Sequence, residues 1–141
     1  MKPALFEEYV DTGKVKFVYK HMAILGQESV WAAEASECAA DQGQFWPYHD
    51  LVFSRQAGEN QGAFNKDKLL ALAVELKLDM AQFGPCLTND QTLDRVKGDT
   101  QEGQQVGVRG TPTFFVNGRA VVGALPLQDF QQVIEQALSG K

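Results

Sequence analysis

The spacing of apolar residues along this chain changes several times, and each change marks an element. Leu5, Phe6, Tyr9 and Val10 recur at helical spacing behind Pro3, and Gly13 follows as a C-cap, which predicts a helix over residues 3–12. In KVKFVYK, residues 14–20, Val15, Phe17 and Tyr19 alternate with lysines and Val18, the pattern of a half-buried strand near a sheet margin. From Gln27 to about Leu87 the period is helical. Trp31, Ala35, Cys38 and Gln42 fall on one stripe, widened by Ala32, Ala33, Ala39 and Ala40 for close packing. Glu28, Glu34 and Glu37 read as the solvated face of the same helix. Pro47 opens a short aromatic helix with Phe45, Trp46, Tyr48 and Phe53, and AGENQGAFN is a polar loop.

Asn65 is placed to cap a helix carrying Leu69, Leu72, Ala73 and Leu76, and Asp79 with Gln82 has capping-box spacing. Gly84-Pro85 should stop or bend the helix just before Cys86. A more polar helix after Asp90 turns Leu93, Val96 and Thr100 inward. TPTFFVNGRAVVG then reads as strand, two-residue turn and strand, because Asn117-Gly118 favours the type I′ hairpin. A last helix from Pro126 presents Leu127, Phe130, Val133, Ile134, Ala137 and Leu138 on one face. Together these elements make an α/β layered domain.

Composition narrows the function. The 141 residues carry 13 basic and 18 acidic side chains, a net charge of −5 with scattered lysines. Nucleic acid is therefore not an expected partner, since phosphate binding needs clustered basic groups. No apolar run reaches the ~20 residues that span a bilayer, so no membrane partner is expected. Met1-Lys2-Pro3 leads into Glu7 and Glu8 and not into the apolar stretch of a signal peptide. The chain is accordingly expected either to stay in the cytoplasm or to have lost a leader before this numbering begins. The two cysteines, Cys38 and Cys86, are too far apart for a C-x-x-C motif. With only His21 and His49 as imidazoles, a zinc site would need carboxylates that no motif marks, and no metal or cofactor is expected. His49 reads as a hydrogen-bonded structural side chain, while His21 ends the strand of residues 14–20.

GTPTFFVNG with its following strand and helix resembles the C-terminal half of the thioredoxin fold. ESVWAAEASECAADQGQFWPYHDLVF and EEYVDTGKVKFVYKH extend the resemblance to the DsbA-like thiol-disulfide oxidoreductases, which insert a helical domain into a thioredoxin core. The resemblance implies a thioredoxin-like fold with residues 1–26 and 107–141 as core and residues 27–106 as insertion. It implies a cis peptide before Pro112, and a loop of Arg109, Gly110, Thr111 and Pro112 that receives extended peptide by strand-like pairing. It also implies disulfide exchange in protein substrates, outside the cytoplasm, for the parent protein.

In that family a strand and a Cys-Pro-x-Cys motif stand before the helix read at residues 3–12, and the first cysteine is a low-pKa thiolate at a helix N-terminus. No such motif occurs in these residues, so the chain alone is expected to be inactive. Taken as residues, Cys38 and Cys86 read as small buried hydrophobes. The resemblance instead implies a structural disulfide stapling the insertion, and redox catalysis by the pair stands as a third reading. Without the family's first strand the sheet should have a gap, with three outcomes: the flanking strands close up, a second chain supplies the missing contacts, or the domain is only marginally folded; of these a homo-oligomer is expected. The alternatives are a redox-silent peptide-binding or chaperone-like module and a glutathione-transferase or isomerase branch with a similar insertion.

Overall fold

The computed structural model describes residues 2–140 and divides into two compact units. One is the continuous stretch Lys20–Gly103; the other joins the chain on either side of it.

In the discontinuous unit, α1 (Lys2–Leu5) passes into a π-helical turn over Phe6–Val10, closed by the Asp11 N–H on the Phe6 carbonyl at 2.8 Å. Gly13, at φ +79°, ends it, and its N–H bonds the Val10 carbonyl. The hairpin pairs β1 (Thr113–Val116) with β2 (Arg119–Val122) antiparallel, Phe114 opposite Val121 and Phe115 opposite Ala120. Asn117 and Gly118 both take positive φ at its turn, as type I′ geometry requires. One sheet face and α7 (Leu127–Leu138) enclose a core of Leu5, Tyr9, Val121, Phe130 and Ile134, with Phe114 set edge-on to Phe130. The buried Tyr9 hydroxyl donates to Glu135 at 2.9 Å, and burial together with that carboxylate pushes the phenol up to about 12.

Residues 14–20 keep the alternation of the sequence, with Val15, Phe17 and Tyr19 half-buried and their neighbours exposed. They are nevertheless not a strand, because the sheet among the described residues has only β1 and β2. Alternation sets which side chains turn inward; a strand further needs a neighbour offering N–H and C=O groups in register.

The continuous unit is helical: α2 (Gln27–Ala40), α3 (Phe45–Ser54), α4 (Lys66–Glu75), α5 (Met80–Thr88) and the start of α6 (Leu93–Gln105). The alanines of α2 bring α3, α4 and α5 close around Cys38, Tyr48, Leu69, Phe83, Cys86 and Leu87. The Tyr48 hydroxyl donates to the Leu69 carbonyl at 2.8 Å, joining α3 to α4 without leaving a buried polar atom unpaired. Asn65 caps α4 through the Lys68 N–H, as its spacing predicts.

Two local features differ from what the neighbouring residues alone suggest. Asp79 caps α5 through the Ala81 N–H, but Gln42, not Gln82, completes the box: Gln42 accepts the Asp79 N–H and donates to the Asp79 carbonyl. A residue reaching from the end of α2 thus replaces the local partner. Gly84-Pro85 does not end α5, which runs on through Pro85 to Thr88. Phe83, Cys86 and Leu87 are all buried, and this packing holds the helix across the missing N–H.

Candidate functional site

Arg109, Gly110, Thr111 and Pro112 form the loop that enters β1. The Thr111–Pro112 peptide is cis. Two bonds fix the loop: the Thr113 hydroxyl donates to the Gly110 carbonyl at 2.7 Å, and the Gly123 N–H donates to the Pro112 carbonyl at 2.8 Å. The second ties the loop to the far end of the hairpin. Arg109, Thr111 and Pro112 are exposed and Gly110 is half-buried. The loop is therefore an exposed stretch of backbone held at a fixed base, beside a cationic side chain.

Cys38 of α2 and Cys86 of α5 are joined as a disulfide with their Cα atoms 6.0 Å apart, and both lie in the core. Each cysteine is inside a helix and not at a helix N-terminus, so neither sits where helix dipoles favour a thiolate. The disulfide lies in the continuous unit and the 109–112 loop in the other.

The carboxylates of α2 overturn the expectation of a solvated face. Glu28 is buried and accepts the Gly62 and Phe64 N–H groups at 2.9 Å each, fixing the polar loop against the helix start. Gly26, at φ +95°, lies so near the Asn60 side chain that a Cβ there would meet its Cγ at 2.9 Å. Glu34 is only 1% exposed, and its Oε1 has no hydrogen-bond partner. Burial first, and then the neighbouring Asp90, push its carboxyl up to about 7. Glu37 takes His21 Nε2 at 2.8 Å and lies 3.6 Å from Arg95, and the His21 bond holds its carboxyl below the usual range. The signal was in the spacing: 28, 31, 35, 38 and 42 form one heptad-like stripe, and Glu34 stands one turn before Cys38.

His21 is buried, its N–H on Asp99 and its ring on Glu37. His49 pairs with Asp50 at 2.9 Å and stacks with Phe45, Trp46 and Phe53 along α3. Among the described residues no group of three or more His, Cys, Asp or Glu side chains could hold a metal ion.

The family model described as thioredoxin matches residues 1–136. The crystal structure of oxidised BdbD from Bacillus subtilis superposes with a TM-score of 0.88 at 26% identity, over 98% of this chain and 76% of that one. The chain belongs to the thioredoxin family, in its DsbA-like group. The fold is thioredoxin-like with a helical insertion. A probable disulfide bond formation protein D of Bacillus anthracis is 31% identical over 120 residues, 82% of this chain and 55% of that protein. A Na(+)/H(+) antiporter NhaA 1 of Salinispora arenicola is 33% identical over 141 residues, 99% of this chain but 21% of the antiporter. The chain thus spans about half of the one relative and about a fifth of the other.

Proposed function

We propose that this chain is the substrate-receiving part of a DsbA-like thiol-disulfide oxidoreductase, and that the 141 residues alone do not catalyse exchange. Arg109, Gly110, Thr111 and Pro112 take an extended segment of a protein substrate alongside the entry to β1. Attack on a substrate sulfur needs a thiolate, and release of the mixed disulfide needs a second one. Both cysteines present are bonded to each other inside the core. The observation that carries the reading is this pairing of an exposed, anchored 109–112 loop with a buried disulfide. A structural disulfide suits an oxidising compartment, which supports an extracytoplasmic place for the parent protein. No described helix is long and apolar enough to cross a membrane.

The buried disulfide also favours the redox-silent reading, in which the loop binds peptide without chemistry. Dithiothreitol-driven insulin reduction on folded protein separates the possibilities, together with binding of a labelled unfolded peptide. The expected result is the uncatalysed insulin rate with measurable peptide binding that is lost in Thr111→Arg. Insulin reduction abolished by Cys38→Ala/Cys86→Ala would show the pair to be catalytic and end the proposal. A homo-oligomer belongs to the same reading, since Phe115 and Val122 lie exposed on the outward sheet face. A monomer in light scattering at micromolar concentration would remove that part.

A further inference from the structure

Residues 103–128, which contain the 109–112 loop and both strands of the hairpin, hold no Asp or Glu, although the chain carries 18 acidic side chains and a net charge of −5. The charged groups of this stretch are Arg109 and Arg119. An acidic chain thus leaves one segment free of carboxylates, and the exposed loop lies within it.

The arginines of the chain are not alike. Arg55 holds Glu75 at 2.6 Å, Arg95 forks onto Asp41 at 2.8 and 3.3 Å, and Arg119 donates to Gln136 at 2.9 Å. Arg109 is exposed and has no hydrogen-bond or ion-pair partner among the described residues. A guanidinium presents its N–H donors in a planar fork that matches a carboxylate, and the fork of Arg109 is left to solvent.

Gly110 gives a second, independent observation. Its φ lies outside the left-handed region, and a Cβ there would meet nothing within 4 Å. Neither backbone conformation nor packing inside the chain therefore calls for glycine. What the missing side chain leaves is open space between Arg109 and Thr111, over a backbone fixed by the Thr113 hydroxyl on the Gly110 carbonyl at 2.7 Å. Glycine at such a place suits the close approach of another backbone.

We propose that Arg109 makes this loop selective for acidic substrate segments: an extended segment passes over Gly110, and the Arg109 guanidinium takes one of its carboxylate side chains. The proposal rests on the reading that the 109–112 loop receives substrate, and it adds the chemistry of that substrate. Arg109 stands two positions before Thr111. In strand-like pairing the carboxylate is therefore about two residues from the substrate residue opposite Thr111. An exposed Arg–carboxylate pair with paired N–H···O bonds should favour the acid over its amide about 3- to 10-fold. A solvated surface arginine without a ligand is the ordinary alternative.

The test is fluorescence anisotropy of short, otherwise neutral labelled peptides titrated with the full chain. A single Asp is moved along the peptide, and each version is compared with its Asn counterpart. Wild type should favour Asp about 3- to 10-fold at one place in the peptide, and this preference should shrink toward parity as salt rises from about 0.05 to 0.5 M. The Asp-to-Asn ratio is taken within each variant, so a uniform loss of binding cancels. In Arg109→Gln the preference should vanish, and in Arg109→Glu the Asn peptide should bind better. Gly110→Ala should weaken the Asp and Asn peptides alike. Parity in wild type, a preference that survives in Arg109→Gln, or unweakened binding in Gly110→Ala would overturn the acid selectivity and leave the receiving loop standing. Failure of wild type to bind any peptide of the series would end the reading of the loop itself, and the selectivity with it.

Discussion

Replacing both half-cystines, Cys38→Ala/Cys86→Ala, asks how much of the helical unit depends on one covalent link. The bond closes a loop of sequence separation 48. Chain entropy for a loop of that length gives about 4 kcal/mol at 25 °C, lost when the unfolded chain is released from the constraint. Both sulfurs are buried, and each one removed adds roughly 1 kcal/mol of lost packing, by comparison with one buried methyl group. Against a total stability of about 5–15 kcal/mol for an ordinary domain, this is a large share. The assay is urea unfolding followed by tryptophan fluorescence. Trp31 and Trp46 are the tryptophans of the sequence, and both lie in Lys20–Gly103, so the signal reports the unit that contains the bond. With a urea slope of about 1–3 kcal/mol/M, the midpoint should fall by at least about 1.5 M. The slope itself should rise as the denatured chain expands. A shift below about 0.5 M at constant slope would refute the loop argument and show that packing alone holds α2 on α5.

Other substitutions test neighbouring parts of the same unit. Glu28→Gln leaves one acceptor where a carboxylate held the Gly62 and Phe64 N–H groups; a loss of about 2 kcal/mol in urea unfolding is expected, with faster protease cleavage between residues 58 and 63. Gly26→Ala places a Cβ at φ +95° against Asn60, and a cost of about 1–3 kcal/mol should lower the thermal midpoint. Glu37 titrates below its ordinary 4.5 because His21 bonds it, so its contribution is present above that value and is lost as pH falls through the folded-state value. Glu37→Gln should be less stable at pH 7 and lose less than wild type on acidification from pH 5 to pH 3, measured by urea midpoints.

Sequence pattern carried the local features of this fold and misread those settled by distant residues. Asn117-Gly118 makes its turn and Asn65 its cap within a few residues, where neighbours hold all the information. Gly84-Pro85 does not stop its helix and Asp79 takes a distant partner for its box because Cys38 and Gln42, some 40 residues away, supply what the local chain lacks. Residues 14–20 show the converse: alternation is intrinsic, whereas a ladder is a property of two segments. At the candidate site, the 109–112 loop was legible from its string. Glu28 and Glu34 were missed because charge suggested solvent, although their positions lie on or beside the stripe that faces the core.

The division of the chain into a continuous and a discontinuous unit sets an order of events on the ribosome. Everything needed by Lys20–Gly103, including both half-cystines, leaves the exit tunnel as one block and can close before translation ends. The first helix has no such opportunity. Tyr9 waits for Glu135, 126 positions later, and at about 5–20 residues per second that delay is about 6–25 s. During this interval Leu5 and Tyr9 are without the hairpin and α7 that cover them.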